Sequence, residues 1–321
     1  MVKRDASIEV IKFIAALTIT WSHMEPLLPD YRFLATGGAI GDALFFFCSG
    51  YTLFLGRGGG SFFSWYKRRI NRIYPTVFAW ALLSSVIWGT GYCMRDVILS
   101  GGGFFVSCIM VFYIPLYFFR NHLSSHLWQM ALVSQICCMV AFLFVDHDNF
   151  DSHYRWSWSF YFIVMLFGAI LGKLRKECTL TIEMKTWKGV ALLSLGTLTY
   201  YAISFVCRHY GISFLESVYD IPLIAVCYGT YIFCNAERIK NLMNRRKINT
   251  TVKIIGGLCL EIYIVQPSLL SDRLNAFFPV NILIVFLLIF LIAYMLRCMA
   301  RLWSQTFREG DYDVRAIFKL Y

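Results

Sequence analysis

Apolar runs of membrane-crossing length, broken by short polar and mostly basic stretches, recur along the whole chain. They lie at roughly 7–28, 38–55, 73–93, 101–119, 127–145, 157–172, 187–206, 218–235, 254–271 and 279–300. A helix rises about 1.5 Å per residue, so about 20 apolar residues cross the hydrocarbon core of a bilayer. The pattern predicts an all-α fold, a polytopic integral membrane bundle of about ten transmembrane helices. No internal repeat or soluble segment long enough to fold alone interrupts it, so residues 1–321 read as a single transmembrane domain. Two polar stretches flank the runs: a basic loop at 56–72, ended by Tyr74-Pro75, and a tail at 301–321. The short basic start MVKRDAS resembles the beginning of a secretion signal. The apolar run behind it is too long for one and carries charges, so it reads as helix 1.

Composition supports that solvent. Of 321 residues, 58% are hydrophobic and 15% charged, against roughly 25% charged in a soluble protein. The net charge of +11 could point to nucleic acid, but the distribution of the cations explains it otherwise. With ten spans and a cytoplasmic N-terminus, 24 Lys and Arg fall on inner segments, five on outer ones, and Lys12 lies within helix 1. This bias places both termini in the cytoplasm and needs no nucleic acid. The acidic stretch 146–155 falls outside. The eleven cysteines sit mostly in apolar runs without a CxxC or a Cys/His cluster, as small buried hydrophobes do, and no metal is expected.

Helix 1 carries the first candidate chemistry. The eleven steps from Lys12 to His23 turn through about 1100°, within about 20° of three full turns, and rise roughly 16 Å. Glu9 falls about 40° from His23 by the same geometry. Ionisable groups at this depth are costly and normally look into protein or a wet cavity. A lone intramembrane histidine is as readily a polar side chain satisfied between helices; a shared face with Glu9 and Lys12 favours a wet path and a general base. Glu9 and Lys12, at i and i+3, can also neutralise each other. Asp42, near the outer end of helix 2, could orient the imidazole or be solvated at a loop end. Ser49 has no nearby histidine in sequence, and the intramembrane Glu261 could reach a basic loop residue.

The second candidate is the cluster Lys67, Arg68, Arg69 and Arg72 beside Phe62, Phe63, Trp65 and Tyr66. Such cations bind phosphates, and the aromatics can stack on an adenine. The same composition also makes a positive-inside anchor with an aromatic belt. Gly58 to Gly60 form a flexible loop without the spacing of a phosphate-cradling motif.

Taken together, these residues resemble the membrane-bound acyltransferase-3 family. The resemblance rests on Lys12-x10-His23 behind a Glu9-containing lead, the glycine-rich approach to FFFCSGY (45–51), and Arg69-Ile-Asn-Arg72 followed by Tyr74-Pro75. WSWSFYFIVMLFGAIL (156–171) and LEIYIVQPS (260–268) add weaker matches. The resemblance implies O-acyl transfer, usually of acetyl from acetyl-CoA, onto a glycan or other hydroxyl-bearing acceptor. It makes His23 the catalytic residue with Lys12 the basic member of its motif, and Arg69 and Arg72 the donor-binding pair; Glu9 and Asp42 are supporting groups by their helix positions alone, and Lys67 and Arg68 stand beside the donor pair. A multi-pass protein of the bacterial cytoplasmic (inner) membrane, modifying surface polysaccharide, is the family-level expectation.

Three departures stand out. Lysine occupies position 12 where arginine is commoner, Asp42 is displaced by one from the family's usual aspartate, and Gln266 stands where a histidine often does. The competing reading is a proton- or anion-coupled transporter using Lys12 and His23.

Overall fold

The computed structural model describes residues 5–56, 60–89, 91–99, 101–144, 156–178 and 185–320. Lys3, Arg4, Arg57, Gly58, Gly59 and the acidic stretch 146–155 lie outside the described residues. Among the described residues the regular structure is entirely helical. In chain order the α-helices are α1 (Ala6–Ser22), α2 (Gly38–Leu55), α3 (Phe62–Trp88), α4 (Met94–Leu99), α5 (Gly103–His122), α6 (Leu127–Phe142) and α7 (Trp158–Lys176). There follow α8 (Thr186–Tyr210), α9 (Asp220–Cys234), α10 (Glu237–Met243), α11 (Arg246–Gly257), α12 (Cys259–Leu269), α13 (Val280–Thr306) and α14 (Val314–Ile317). Among the described residues, eight helical segments are long and apolar enough to cross a membrane, and the α11–α12 pair, bent by 66°, makes a ninth if it is one broken span. The 17-residue α1 is at the lower limit for a span; with it, each of the ten predicted runs has a helical counterpart. The protein is an all-α polytopic membrane bundle.

One boundary differs from the sequence reading. The stretch 56–72 was expected to be a loop, but α3 begins at Phe62 and carries the basic cluster on its first turns. Ser61 caps this helix, its side chain accepting from the Ser64 amide. Pro75 lies inside the helix rather than ending a loop; proline costs one hydrogen bond and bends a helix, and in a membrane neighbouring helices tolerate it. α3 ends on the left-handed Gly89, as a C-terminal glycine allows.

The helices fall into two compact units. The first comprises Met1–Ile11, Asp42–Gly59 and Ile114–Ile248. In it α7 packs against α2 through a glycine seam: a Cβ at Gly50 would collide with Met165 O, one at Gly168 with Phe47 O, and one at Gly172 with Tyr51 O. The GAILG run thus brings two backbones into direct contact, as small-xxx-small spacing does between membrane helices. α8 and α9 meet the same way through Gly189, Gly196 and Gly229. A buried polar cluster closes one end of the seam. Tyr51 Oη donates to Asp5 Oδ2 at 2.7 Å and lies 3.1 Å from Tyr231 Oη, while Ser7 Oγ donates to Asp5 Oδ1 at 2.6 Å.

The same end gathers other helix termini. Arg120, in the last turn of α5, donates to Gly56 O just past α2 at 2.6 Å, and Lys173 near the end of α7 donates to Ser124 O at 2.7 Å. Arg175 lies 4.0 Å from Asp5. The start of α1 and the ends of α2, α5 and α7 therefore share one side of this unit, as alternating spans require, and cations complement the carbonyl ends.

The second unit comprises Lys12–Gly41, Gly60–Tyr113 and Asn249–Tyr321. Here α13 packs on both α3 and α12. Phe78 of α3 stacks on Trp303 of α13 with ring centroids 6.3 Å apart. Glu261 of α12 forms a forked pair with Arg297 of α13, Nη2 to Oε2 at 2.7 Å and Nε to Oε1 at 3.2 Å. Arg297 also donates to Gly257 O at the bend between α11 and α12. The Glu261 partner is thus a residue of the last long helix rather than of a basic loop, and the pair neutralises a carboxylate that is otherwise costly within a membrane.

Candidate active site

The helix-spaced aromatics on the first turns of α3 hold one of its cations. Trp65 and Arg69 are one helical turn apart, and the guanidinium carbon of Arg69 lies 5.0 Å from the Trp65 ring centroid. Tyr113 of α5 forms a second wall 5.5 Å away, its ring perpendicular to Trp65 with centroids 5.7 Å apart. Trp65 and Tyr113 are both buried. Such a box stabilises a cation by about 0.5–2 kcal/mol, but faces cannot replace an acceptor for the guanidinium N–H groups. Arg69 Nε is buried and has no hydrogen-bond partner among the described residues. Lys67, Arg68 and Arg72 around it are exposed. Tyr66 Oη donates to Met110 O at 3.2 Å and Tyr74 Oη to Ile98 O at 2.9 Å, fixing α3 against its neighbours within this unit. The arrangement offers one oriented guanidinium and three outer cations to an anion.

α1 presents the second set. Glu9 and Lys12 are half-buried on the helix, whereas His23 is exposed directly after Ser22. The His23 amide still donates to Ile19 O and Thr20 O, both at 3.3 Å, so the residue continues the helical turn and keeps its register with Lys12. The glycine-rich approach to α2 has a packing reason here. At Gly41 a Cβ would run into the side chain and amide of Ile19, and at Gly38 it would meet Ser22 Oγ at 2.9 Å. Gly37, with φ of +99°, makes the turn into α2. The start of α2 thereby lies against the last two turns of α1. Asp42 belongs to the first unit, where its Oδ1 is buried and has no hydrogen-bond partner among the described residues.

α12 runs alongside α1. Cys259 Sγ lies 3.6 Å from Lys12 O. Beyond α12, Asn275 donates to Pro26 O and Asn281 to Leu27 O, each at 2.9 Å. The second unit thus contains Lys12, His23, Lys67, Arg68, Arg69 and Arg72 together, while Glu9 and Asp42 belong to the first. Two contributors escaped the sequence reading. Tyr113 sits in an unmarked apolar run 44 residues from Arg69, and no local pattern links them. Arg297 looked like one more cation near a helix end. Among the described residues, no cluster of three or more His, Cys, Asp or Glu could hold a metal, and the cysteines form no disulfide.

The family model for an acyltransferase domain, of the acyltransferase-3 type, matches residues 5–298, spanning both units and every candidate residue. The chain belongs to the acyltransferase-3 family. No curated protein and no solved structure matches it. Membership makes this membrane protein an acyltransferase, which answers the enzyme-or-transporter alternative in favour of the enzyme. An acyltransferase of this family takes an acyl donor and a hydroxyl-bearing acceptor, and the apolar helices place the chemistry in a bilayer.

Proposed function

We propose that this acyltransferase moves an acetyl group from cytoplasmic acetyl-CoA to a hydroxyl of a glycan at the outer side of a bacterial inner membrane. The observation that carries the reading is Arg69: a guanidinium boxed by Trp65 and Tyr113 with a buried, unpartnered Nε. A cation whose task was only to anchor the chain in the headgroup layer would gain nothing from that burial. An anionic donor would complete its hydrogen bonding, with Arg72, Arg68 and Lys67 adding charge around it. The excess of basic residues on one set of loops supports a cytoplasmic position for this site.

His23 then acts as general base. It takes the proton of the acceptor hydroxyl as that oxygen attacks the acyl carbonyl; the carbon–sulfur bond breaks, and the departing thiolate receives the proton. Lys12, on the same helix face about three turns below, draws the anionic donor along α1. Glu9, three residues before Lys12 on the same helix, offsets its charge. The test is acetyl transfer by the full-length protein in membranes that contain its acceptor. His23→Ala should lower kcat by about 100-fold or more; a variant working at the wild-type rate would remove His23 from the reaction.

A further inference from the structure

One side chain of the second unit is wholly buried and bonded to nothing. Gln266 of α12 is 0% exposed, and neither its Oε1 nor its Nε2 has a hydrogen-bond partner among the described residues. Unmet polar atoms in an apolar interior are costly, and a methionine or leucine would fill the space without that cost. The next residue, Pro267, lies inside the helix and has no N–H to give the carbonyl one turn back. Three other polar groups of this helix are engaged. Glu261 holds Arg297, the Tyr263 hydroxyl accepts from the Phe105 amide at 3.1 Å, and Cys259 reaches Gly256 O and Lys12 O.

Register places the free amide. Seven residues separate Gln266 from Cys259, about 700° of rotation, so the two share a face within about 20°. That is the face whose Cys259 Sγ approaches Lys12 O. Further on, Asn275 and Asn281 bond Pro26 O and Leu27 O, so α12 and its continuation follow α1 in the same direction. Gln266 stands about 10 Å beyond the Lys12 level and His23 roughly 16 Å beyond it. The amide therefore falls between them, about one helical turn short of His23.

We propose that Gln266 is a catalytic residue whose Nε2 donates to the acyl carbonyl oxygen of the donor. The inference rests on the reading of α1 as the acyl path ending at His23. As the acceptor oxygen adds to the carbonyl carbon, the π electron pair moves onto the carbonyl oxygen, where the amide N–H holds it. The pair returns as the carbon–sulfur bond breaks. A neutral amide suits this place because it supplies a fixed donor without a charge to desolvate.

The test uses the full-length protein in lipid nanodiscs with [1-¹³C]acetyl-CoA. Isotope-edited infrared spectra read the bound thioester carbonyl in wild type, Gln266→Met and His23→Ala. Wild type and His23→Ala should show the carbonyl band displaced to lower wavenumber, and Gln266→Met should show it undisplaced. In membranes with acceptor, Gln266→Met should lose about 100- to 1,000-fold in kcat with KM for the donor nearly unchanged and a melting temperature no lower than wild type. An identical carbonyl band in Gln266→Met, or a lowered melting temperature with unchanged kcat, overturns the proposal and leaves Gln266 a packing residue. Loss of activity in Gln266→Met with full activity in His23→Ala would remove His23 and keep Gln266. A wild-type protein showing no bound thioester band would bring down the donor assignment, and this inference with it.

Discussion

The Asp5–Tyr51–Tyr231 cluster of the first unit, and Arg69 and Gln266 at separate places in the second, put polar groups where the chain is buried, with opposite outcomes. Around Asp5, Ser7 and Tyr51 satisfy the carboxylate and Tyr231 completes the chain of hydroxyls. The cluster ties the start of α1 to α2 and α9. At Arg69 and Gln266, three buried atoms have no hydrogen-bond partner among the described residues, Nε in one and Oε1 and Nε2 in the other. A polar group that the fold satisfies belongs to the fold; one that it leaves unmet still has hydrogen bonds to give or accept.

The contrast can be broken first at the seam beside the Asp5 cluster. Gly168→Val would drive side-chain carbons into the Phe47 backbone, where neither helix can yield without separating. A loss of folded protein, or about 4 kcal/mol or more of stability, should show as failed recovery from membranes or a collapsed melting transition in detergent. Glu261→Leu comes next. It strands the mostly buried Arg297, whose side chain is 14% exposed, and breaking such a pair costs about 3–5 kcal/mol. Double substitution to Glu261→Leu/Arg297→Met should recover most of that stability; no recovery would mean the pair has a further role. Tyr51→Phe is the gentlest probe. It removes the hydroxyl from the Asp5 cluster and should lower stability by about 1–3 kcal/mol while donor binding stays at the wild-type level. A donor-binding defect in Tyr51→Phe would erase the division between the two regions.

Much of this was legible in the sequence, for physical reasons that differ from element to element. α2 runs from Gly38 to Leu55 as read, because its apolar run is bounded by glycines on both sides. The Lys12–His23 register survives because helical geometry is regular over three turns and His23 still bonds into the last one. The start of α3 was missed by about three turns. Gly58 to Gly60 and Pro75 both look like breaks, but only the capping Ser61 marks the true start, and its signal is a single hydroxyl.

The Trp65 contribution to the Arg69 site was visible as an i, i+4 neighbour, whereas Tyr113 was not, since spatial pairing across 44 residues leaves no trace in one sequence. Glu261 was conspicuous as an intramembrane carboxylate, but its partner sits 36 residues on, among other cations of similar appearance. Gln266 was visible as a residue type; its burial without partners needed the fold.

The most direct measurement is calorimetric titration of acetyl-CoA into the purified full-length protein, comparing wild type with Arg69→Ala/Arg72→Ala. Charge-assisted hydrogen bonds contribute about 1.5–3 kcal/mol each, so each arginine should account for about 10- to 150-fold in affinity. Saturable binding by wild type, abolished in the double variant while its melting temperature holds, is the predicted result. Equal binding by both proteins, or none by folded wild type, would contradict the assignment of the boxed arginine to the acyl donor.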